Sequence, residues 1–552
     1  MTRRLMALGA GLAMVEAALL VGLHATWAVG MAPQVVAPAP FGVFHDLRWL
    51  VVYHPSLPAF FFEFAALVLF RSTVDAVMVR EAWPATASTP RPSWGQAWRR
   101  TLFFTVISAV LLAPWVVLLF GLAVVSLSWL FFSAIPPVLA VAVLTNGGPV
   151  SGDWWRRTVP LKAVGWMALT FAVMTACGGI TSTHPMELGI PVAGLGGLFN
   201  AFAWRGVVGA VTSERHSRRF APVAPAGLAI LLAVVVGGSE IGFAVASTRS
   251  HNARVHAQVA AAEAVRPAQG APLLIAAGFG TKWDGRSGPW LPGPFDETRF
   301  SYRGLDPSGR PVPYGADDTM VSLSSLDASM ATQVDALAAR TRQRVSIVAV
   351  SEATLVAETY LESHPKAPVR NLVLLSPLVA AGRVYYPPAG RDGWGVVGGF
   401  GLDALADALG GFSPLKLSPS TPLFRSIETD APAIRQLAAC APPGVHQVAV
   451  EPVADAVATP GDVSLGIPTV VVPAFHSGAL GNPASDQAIE RFLATGRVAG
   501  STTWADVDHV IGPASAAWQV PALALSLNPA WSLTPPSSTA NCSSARRGLA
   551  GP

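Results

Sequence analysis

The stretch VSIVAVSEATLVAETYL, from Val345 to Leu361, decides how the second half of this chain is organised. A β-branched run ends at Ser351, and a helix-forming run begins at the next residue. A serine at a sharp strand-to-helix junction is the layout of a nucleophile elbow, in which the hydroxyl stands exposed above a parallel sheet. The elbow motif favours glycine two residues before and after the serine, where this chain has Ala349 and Ala353. The alternative interpretation is a buried strand running into a helix that Ser351 caps.

The composition divides the chain into two halves. Of its 552 residues, 51% are hydrophobic and 13% are charged, which is a strongly apolar balance. Long apolar runs fill the chain from Leu5 to about Ser247, whereas the sequence from Thr248 onward is an ordinary globular mixture. The basic excess lies in the first half, so it indicates membrane orientation, and we expect a lipid bilayer and no nucleic acid as partner.

Seven apolar runs in the first half are each long enough to cross a bilayer, which takes about 20 residues. The runs are residues 6–30, 57–78, 101–121, 124–146, 161–181, 187–211 and 222–246. The third and fourth form one apolar block, which we divide near Gly121. The first run follows a basic N-terminus, as a signal peptide does, but the spans after it favour an uncleaved anchor. The prediction for residues 1–247 is therefore an all-α transmembrane bundle of about seven spans.

Basic residues alternate between the two sets of loops. They precede the first span and follow the second, fourth and sixth: Arg3, Arg4, Arg80, Arg91, Arg99, Arg100, Arg156, Arg157, Lys162, Arg215, Arg218 and Arg219. The opposite loops offer little beyond Arg48. Since Lys and Arg are enriched in cytoplasmic loops, we predict a cytoplasmic N-terminus. An odd number of spans then predicts a multi-pass plasma-membrane protein whose C-terminal domain is extracytoplasmic.

Polar residues inside or at the ends of the predicted spans are few and irregularly spaced. They are Glu16, His24, Glu63, Asp75, Asn200, Arg205 and Glu240. Intramembrane ionisable residues often mark a transport path, so a transporter with an accessory outer domain stays open as a hypothesis. Structural pairing or snorkelling is favoured, because the sequence has no internal repeat of the kind that many transporters contain.

A second globular region is predicted to begin after a polar, Ala-rich connector at residues 248–270. The apolar run Ala271–Ala277 predicts a strand, and Gly278-Phe279-Gly280 follows it directly. A glycine-containing loop in this place suits one half of an oxyanion hole, because backbone N–H groups approach a carbonyl oxygen closely only where side chains leave room. The alternative is an ordinary turn.

Further short buried strands alternate with helices, which predicts a doubly wound, mostly parallel sheet. Strands are predicted at Arg299–Leu305 and Val369–Leu375. Caps at Asp318-Thr319 or within Ser322–Ser325 begin a helix that runs to about Thr341.

Residues 378–440 interrupt this alternation with a Pro-, Gly- and aromatic-rich insertion. An insertion here is where a lid over a substrate pocket lies, and the alternative is a loop that only packs on the sheet.

Two further polar residues follow predicted strands of the same region. Asp455 comes just after the strand Val445–Val450, and His476 follows the strand Pro468–Pro473. Parallel strands bring their carboxyl ends to one edge of a sheet, so Ser351, Asp455 and His476 are predicted to converge. The competing base is His509, and the competing acids are Asp462 and Asp430.

With these motifs in the order Ser, Asp, His, the region 271–496 resembles the α/β-hydrolase superfamily of esterases and lipases. The resemblance implies that Ser351 is the nucleophile, Asp455 the acid and His476 the base. It also implies an oxyanion hole formed by the backbone at Glu352 with Phe279 or Gly278. No metal and no organic cofactor are implied.

The leading hypothesis is a membrane-anchored serine hydrolase of the esterase or lipase type, acting on a small-molecule or lipid ester. The alternative is a catalytically inactive hydrolase-like binding or scaffold domain on a multi-span anchor, which the alanines around Ser351 motivate.

Residues 497–531 form an extension of no evident role, and the tail 532–552 has the composition of a disordered segment. A disulfide between Cys440 and Cys542 is compatible with an oxidising compartment, and the sequence gives no oligomeric state.

Overall fold

The structure is a computed structural model that describes residues 3–87, 89–126, 147–151, 160–213, 270–286, 290–291, 293–379, 381–410, 418–437, 444–455, 457, 467–497 and 502–532. It contains a helical part up to Ser213 and an α/β part from Ala271 onward. The helices of the first part are α1 (Arg3–Gly22), α2 (Phe41–Val52), α3 (Leu57–Ala82), α4 (Trp94–Val125), α5 (Leu161–Thr183) and α6 (Pro185–Ser213). The predicted connector up to residue 269, the tail from 533, and both Cys440 and Cys542 lie outside the described residues.

Five of the described helices, α1, α3, α4, α5 and α6, are long and apolar enough to cross a membrane. The predicted span 222–246 and nearly all of 124–146 lie outside the described residues, so the number seven stays a prediction. Helix α4 differs from the predicted division near Gly121, because it continues through that glycine to Val125. The glycine serves helix packing instead: a Cβ there would lie 2.6 Å from Leu402.

The segment between α1 and α3 is folded into the bundle, which the sequence did not predict. Residues 26–36 form a 3₁₀ helix and α2 follows it, and nearly all of their side chains are buried. Asn200 donates to the Pro33 carbonyl over 2.7 Å, and Trp204 donates to the Val36 carbonyl over 3.0 Å. Irregular backbone in an apolar bundle needs such partners, since no water satisfies its carbonyls there.

The buried charges of the bundle are largely paired with one another. Arg71 donates to both carboxylate oxygens of Asp46, over 2.7 and 2.6 Å, and His45 lies 2.9 Å from Glu16 and 2.8 Å from Asp46. Asp75 is fully buried with its nearest oxygen 3.9 Å from Arg71. These contacts agree with the favoured interpretation of structural pairing.

The strands of the described chain form one six-stranded sheet in the order β2-β1-β3-β4-β5-β6, and all neighbouring pairs are parallel. They are β1 (Ala271–Ala276), β2 (Phe295–Arg299), β3 (Val345–Val350), β4 (Val369–Leu375), β5 (His446–Ala454) and β6 (Thr469–Phe475). Strands β3 and β4 have the predicted bounds. The prediction of a strand at Arg299–Leu305 is wrong, because the strand in this part of the chain is β2, which lies earlier, at Phe295–Arg299. Beyond it, the Ser301 amide donates to the Gln333 side chain instead of entering the ladder.

Helices cover both faces of this sheet, as a parallel sheet requires. The helices of the α/β region are α7 (Leu323–Thr341), α8 (Glu352–Ser363), α9 (Val396–Gly410), α10 (Pro422–Leu437), α11 (Pro483–Thr495), α12 (Thr502–Ser515) and the short α13 (Pro529–Ser532). Residues of α7, α8 and α10 share one buried core with the sheet, and α11 belongs to the core of the other face. The described chain is thus a helical region followed by a doubly wound α/β region.

The predicted extension 497–531 joins the two regions. Helix α12 lies against α5, where a Cβ at Gly179 would meet the Ala514 backbone at 3.4 Å. Trp518 follows, is 1% exposed, and stacks on Phe171 with ring centroids 4.7 Å apart. Arg48 donates to the carbonyls of residues 517 and 519 over 3.0 and 2.9 Å. Arg48 of α2 therefore holds the extension in the bundle.

The insertion of the α/β region contacts the bundle at the end where α1, α4 and α5 finish, which we call the sheet-side end. The amide of Gly382 donates to the carbonyl of Val124, at the end of α4, over 2.8 Å. Just after α2, His54 Nε2 accepts a hydrogen bond of 3.0 Å from the Val397 amide. Arg80 and Arg100 lie at the opposite end, where α3 finishes and α4 begins. The carboxyl ends of the strands therefore face the bundle.

Candidate functional site

Ser351 occupies a strained turn between β3 and α8. Its backbone has φ 55° and ψ −119°, a conformation that non-glycine residues rarely adopt and that costs about 1–3 kcal/mol. The turn is held by neighbouring strands, since Ala349 pairs with Ala276 of β1 and with Leu374 of β4, and the Ser351 amide donates to the Leu375 carbonyl over 2.9 Å. Strain that persists at one polar residue in a rigid sheet is typical of functional sites.

The room for this turn comes from Gly278. A Cβ at Gly278 would lie 2.8 Å from the Ser351 Cβ and 2.9 Å from the Val350 carbonyl oxygen, closer than side chains tolerate. Ala349 and Ala353, which replace the expected glycines, are both fully buried in the core beside the sheet. The close approach that the elbow motif assigns to its own glycines is therefore provided by the neighbouring loop.

Asp455 and His476 leave adjacent strands side by side. Strands β5 and β6 each continue past their predicted ends, and Ala454 of β5 is the register partner of Phe475 of β6. The next residue of each strand is the polar one. The carboxylate of Asp455 is also fixed by the amide of Val457, which donates to Oδ1 over 2.8 Å.

The three predicted side chains form one hydrogen-bonded series. The distance from Ser351 Oγ to His476 Nε2 is 2.8 Å. His476 Nδ1 lies 2.8 Å from Oδ2 and 3.0 Å from Oδ1 of Asp455. With its proton on Nδ1, the imidazole donates to the carboxylate and accepts from the hydroxyl. The hydroxyl is therefore beside a base that is oriented by an acid.

The surroundings favour a proton on the imidazole of His476. Burial disfavours the imidazolium, but the charge and hydrogen bonds of the Asp455 carboxylate outweigh it and raise the pKa of His476 above 6.5. The Asp455 side chain is 4% exposed, whereas that of His476 is 23% exposed. A base that gains stability on protonation and stays within reach of solvent suits proton transfer near neutral pH.

Two backbone amides near Ser351 are free to donate. Within the described chain, no acceptor is found for the amides of Phe279 and Glu352, whereas the next amide of the β1 loop, that of Gly280, donates to Thr319 Oγ1 over 2.9 Å. Glu352 is also the first residue of α8, so its amide lies at the positive end of the helix dipole. Such donors are what an oxyanion needs.

Supporting residues that the sequence analysis did not assign hold the β1 loop. Thr319, considered there as a helix cap, binds the loop at Gly280, and Ser322 caps α7 instead. The Tyr302 hydroxyl donates to the Ala277 carbonyl and lies 3.4 Å from a carboxylate oxygen of Glu352. Burial raises the pKa of Glu352 well above its ordinary range, although the Tyr302 hydrogen bond opposes this. The sequence feature that could have indicated this support is the acidic Glu352, which directly follows the serine at a buried strand-helix junction.

The competing base and acids are not brought to this site. His509 lies on the exposed face of α12, and His476 instead contacts Ser351. Asp430 lies on α10, and Asp462 falls outside the described residues. In the described residues, no group of three or more His, Cys, Asp or Glu side chains is arranged to hold a metal ion.

Comparison with protein-family models, with curated proteins and with solved structures finds no match for this chain. The chemistry is therefore argued from the site itself.

A second Ser-His-Asp grouping lies at the other end of α8. Ser363 Oγ lies 2.9 Å from Asp327 Oδ2 and 2.8 Å from the Thr359 carbonyl oxygen, so its one proton has two acceptors within reach. His364 presents Nδ1 to Ser363 at 3.0 Å, and the same nitrogen lies 3.4 Å from Asp327. Since acid and serine share one nitrogen, this imidazole cannot relay a proton between them.

Proposed function

We propose that this chain is a membrane-anchored serine hydrolase that cleaves carboxylic esters. The observation that carries the proposal is the series from Ser351 Oγ through the His476 imidazole to Asp455, with links of 2.8 Å. The strained backbone of Ser351 and the free amides beside it support the same conclusion. The order Ser, Asp, His, at the carboxyl ends of β3, β5 and β6 of a parallel sheet, supports the resemblance to the α/β-hydrolase superfamily.

In this proposal, Ser351 Oγ attacks the ester carbonyl while His476 Nε2 takes the hydroxyl proton. The C–O bond to the alcohol then breaks, and the imidazolium returns the proton to the departing alkoxide. Water, deprotonated by the same nitrogen, then attacks the acyl carbonyl. The bond from the acyl carbon to Ser351 Oγ breaks, the imidazolium returns its proton to Oγ, and the carboxylic acid leaves. Asp455 stays ionised throughout, holds the Nδ1–H tautomer and stabilises the imidazolium.

The negative oxygen of the tetrahedral intermediate would be stabilised by backbone donors. The amides of Phe279 and Glu352 flank Ser351 on two different elements, the β1 loop and the first turn of α8. The helix dipole adds positive potential at the same place. Donors fixed before the reaction need no reorganisation when charge develops, which is the largest contribution in many acyl-transfer enzymes.

We further propose that the α/β region lies outside the cell. The contacts of Gly382 with Val124 and of Val397 with His54 lie at the sheet-side end, whereas Arg80, Arg91 and Arg100 lie at the opposite end. Since basic residues favour the cytoplasmic side, this arrangement agrees with the predicted orientation. Helix α6 starts at the sheet-side end and runs about 40 Å away from it before Ser213.

The test is hydrolysis of p-nitrophenyl acetate by the full chain in detergent, comparing Ser351→Ala with Ser363→Ala. We expect Ser351→Ala to fall to the background rate and Ser363→Ala to retain wild-type activity, because only the first serine touches the relaying base. Equal activity of the two variants would exclude Ser351 as nucleophile. A folded wild type that hydrolyses no ester would favour the alternative, a hydrolase-like binding domain.

A further inference from the structure

The insertion between β4 and β5 is buried against the transmembrane helices as well as against the sheet. Its side chains Val384, Tyr386, Leu402 and Phe424 belong to the same buried core as the bundle. Tyr386 lies 5.9 Å from the ring of Phe120 on α4. The predicted lid is therefore a layer between the carboxyl edge of the sheet and the bundle.

Helix α9 of this insertion crosses α4 at a depth that a bilayer would cover. Small residues allow the crossing: a Cβ at Gly401 would lie 2.9 Å from Val117, and one at Gly398 would lie 2.8 Å from Phe120. Counted from Arg100, a hydrocarbon core about 30 Å thick takes about 20 residues of α4 and so ends near Phe120. The contact with Val117 lies within that range.

Apolar side chains are in continuous contact from this crossing to the loop beside the serine. Phe279 and Val125 are the partly buried side chains that pack against both the bundle core and the core of the sheet. Phe279 meets Phe424 edge-on, with ring centroids 6.2 Å apart. Phe279 directly follows Gly278, which abuts Ser351. The reacting hydroxyl is thus one residue away from side chains that are continuous with the membrane part.

At the crossing, α9 also carries an exposed apolar side chain. Phe400, next to Gly401, is 45% exposed, and the first seven residues of the helix, VVGGFGL, contain no polar side chain. A ring in this place has no partner in the described chain that covers it, and its depth against α4 gives it acyl chains as neighbours.

We infer that the substrate is a bilayer-resident acyl ester that enters from the outer leaflet beside α9, where Phe400 is exposed, and reaches Ser351 past Phe279. This inference rests on the proposed function and narrows its substrate class. The acyl chain stays in apolar surroundings along the route, so its transfer to the site costs little desolvation. The ester carbonyl alone moves to the polar edge of the sheet, where the hydroxyl and the free amides lie.

The first experiment needs no variant. The full chain is placed in phosphatidylcholine vesicles with p-nitrophenyl palmitate, and the rate is measured while vesicle and ester amounts change independently. We expect the rate per enzyme to follow the mole fraction of ester in the bilayer. A rate that follows bulk ester concentration at constant mole fraction would overturn the inference, as would a wild type that cleaves p-nitrophenyl acetate and not the palmitate.

The second experiment tests the route. Phe400→Asp places a charge in the leaflet, so we expect the ratio of palmitate to acetate hydrolysis to fall about tenfold. Phe400→Leu, which keeps an apolar side chain, and Val321→Asp, at a 37% exposed position before α7, should leave the ratio unchanged. An unchanged ratio in Phe400→Asp would overturn the route. If the wild type hydrolyses neither ester, the proposed function itself fails.

Discussion

Helix α8 has a serine, a histidine and an aspartate at each of its ends, and the two groupings differ in every feature that catalysis requires. Ser351 precedes the first residue of α8 in a strained turn, next to unpaired amides. Ser363 is the last residue of the helix, and its hydroxyl donates to a carbonyl of the preceding turn. The helix dipole favours a developing oxyanion at the first end and opposes it at the second.

The histidines make the same contrast. His476 uses one nitrogen for Ser351 and the other for the carboxylate, whereas His364 faces both partners with Nδ1. Proximity of the three residue types is therefore not sufficient for a relay; the two ring nitrogens must be divided between acid and nucleophile. Each residue of the α8 C-terminal grouping is accordingly a matched control for its counterpart.

The largest expected effect is the loss of the base. His476→Ala should lower kcat for ester hydrolysis by about 10⁶-fold, since a triad acts as a unit. His364→Ala should leave kcat within about twofold, because that imidazole is part of no relay. Steady-state kinetics on p-nitrophenyl acetate measure both. A comparable loss in the two variants would end the distinction between the two ends of α8.

Removal of the orienting charge comes next. Asp455→Asn keeps the shape of the side chain but leaves the wrong tautomer of His476, so kcat should fall by about 10⁴-fold. Asp327→Asn is the control and should keep wild-type activity. Retained activity in Asp455→Asn would show that the imidazole is oriented by something else.

A change in the loop beside the serine should cost less. Gly278→Ala pushes a methyl group against the Ser351 Cβ and the Val350 carbonyl. A displacement of the hydroxyl by a fraction of an ångström should lower kcat/KM by about 10²-fold. Gly315→Ala is the control, since its nearest neighbour is a side-chain oxygen 3.9 Å away. Equal kinetics for the two alanine variants would mean that the close approach at Gly278 has no catalytic consequence.

The smallest expected effect in this comparison is on the pH dependence of activity. The base acts only when neutral, so kcat/KM should rise with pH through the pKa of His476, and the midpoint should lie above 6.5. In Asp455→Asn, burial remains while the carboxylate is lost, so the midpoint of the residual activity should move to lower pH. His364→Ala should leave the profile unchanged. A wild-type midpoint below 6.5 would contradict the environment assigned to His476.

The sequence predicted the parts of this arrangement that depend on local pattern. Strands β3 and β4 have their predicted bounds because short β-branched runs between helices leave few alternatives. The convergence of Ser351, Asp455 and His476 followed from the rule that parallel strands share a carboxyl edge. The space beside Ser351 was not predictable from the elbow itself, since it is provided by a glycine 73 positions earlier in the chain.

The parts that sequence reasoning missed depend on contacts between distant segments. Arg48 was noted as a stray cation in a loop, but its partners at residues 517 and 519 are more than 460 positions away. The segment 26–36 is as apolar as a span, so hydropathy alone cannot distinguish a crossing from a folded segment inside the bundle. The sequence places this strand too late in the chain, because β2 itself has two acidic residues, whereas Phe300 and Tyr302 beyond it are apolar.

The most direct test of the central claim is labelling of the full wild-type chain with a fluorophosphonate, followed by mass-spectrometric mapping of the modified peptide. Only a serine activated by a neighbouring base reacts readily with this electrophile. The account predicts an adduct on Ser351, none on Ser363, and no labelling of His476→Ala. Labelling of Ser363, or a folded wild-type protein that does not react at all, would contradict it.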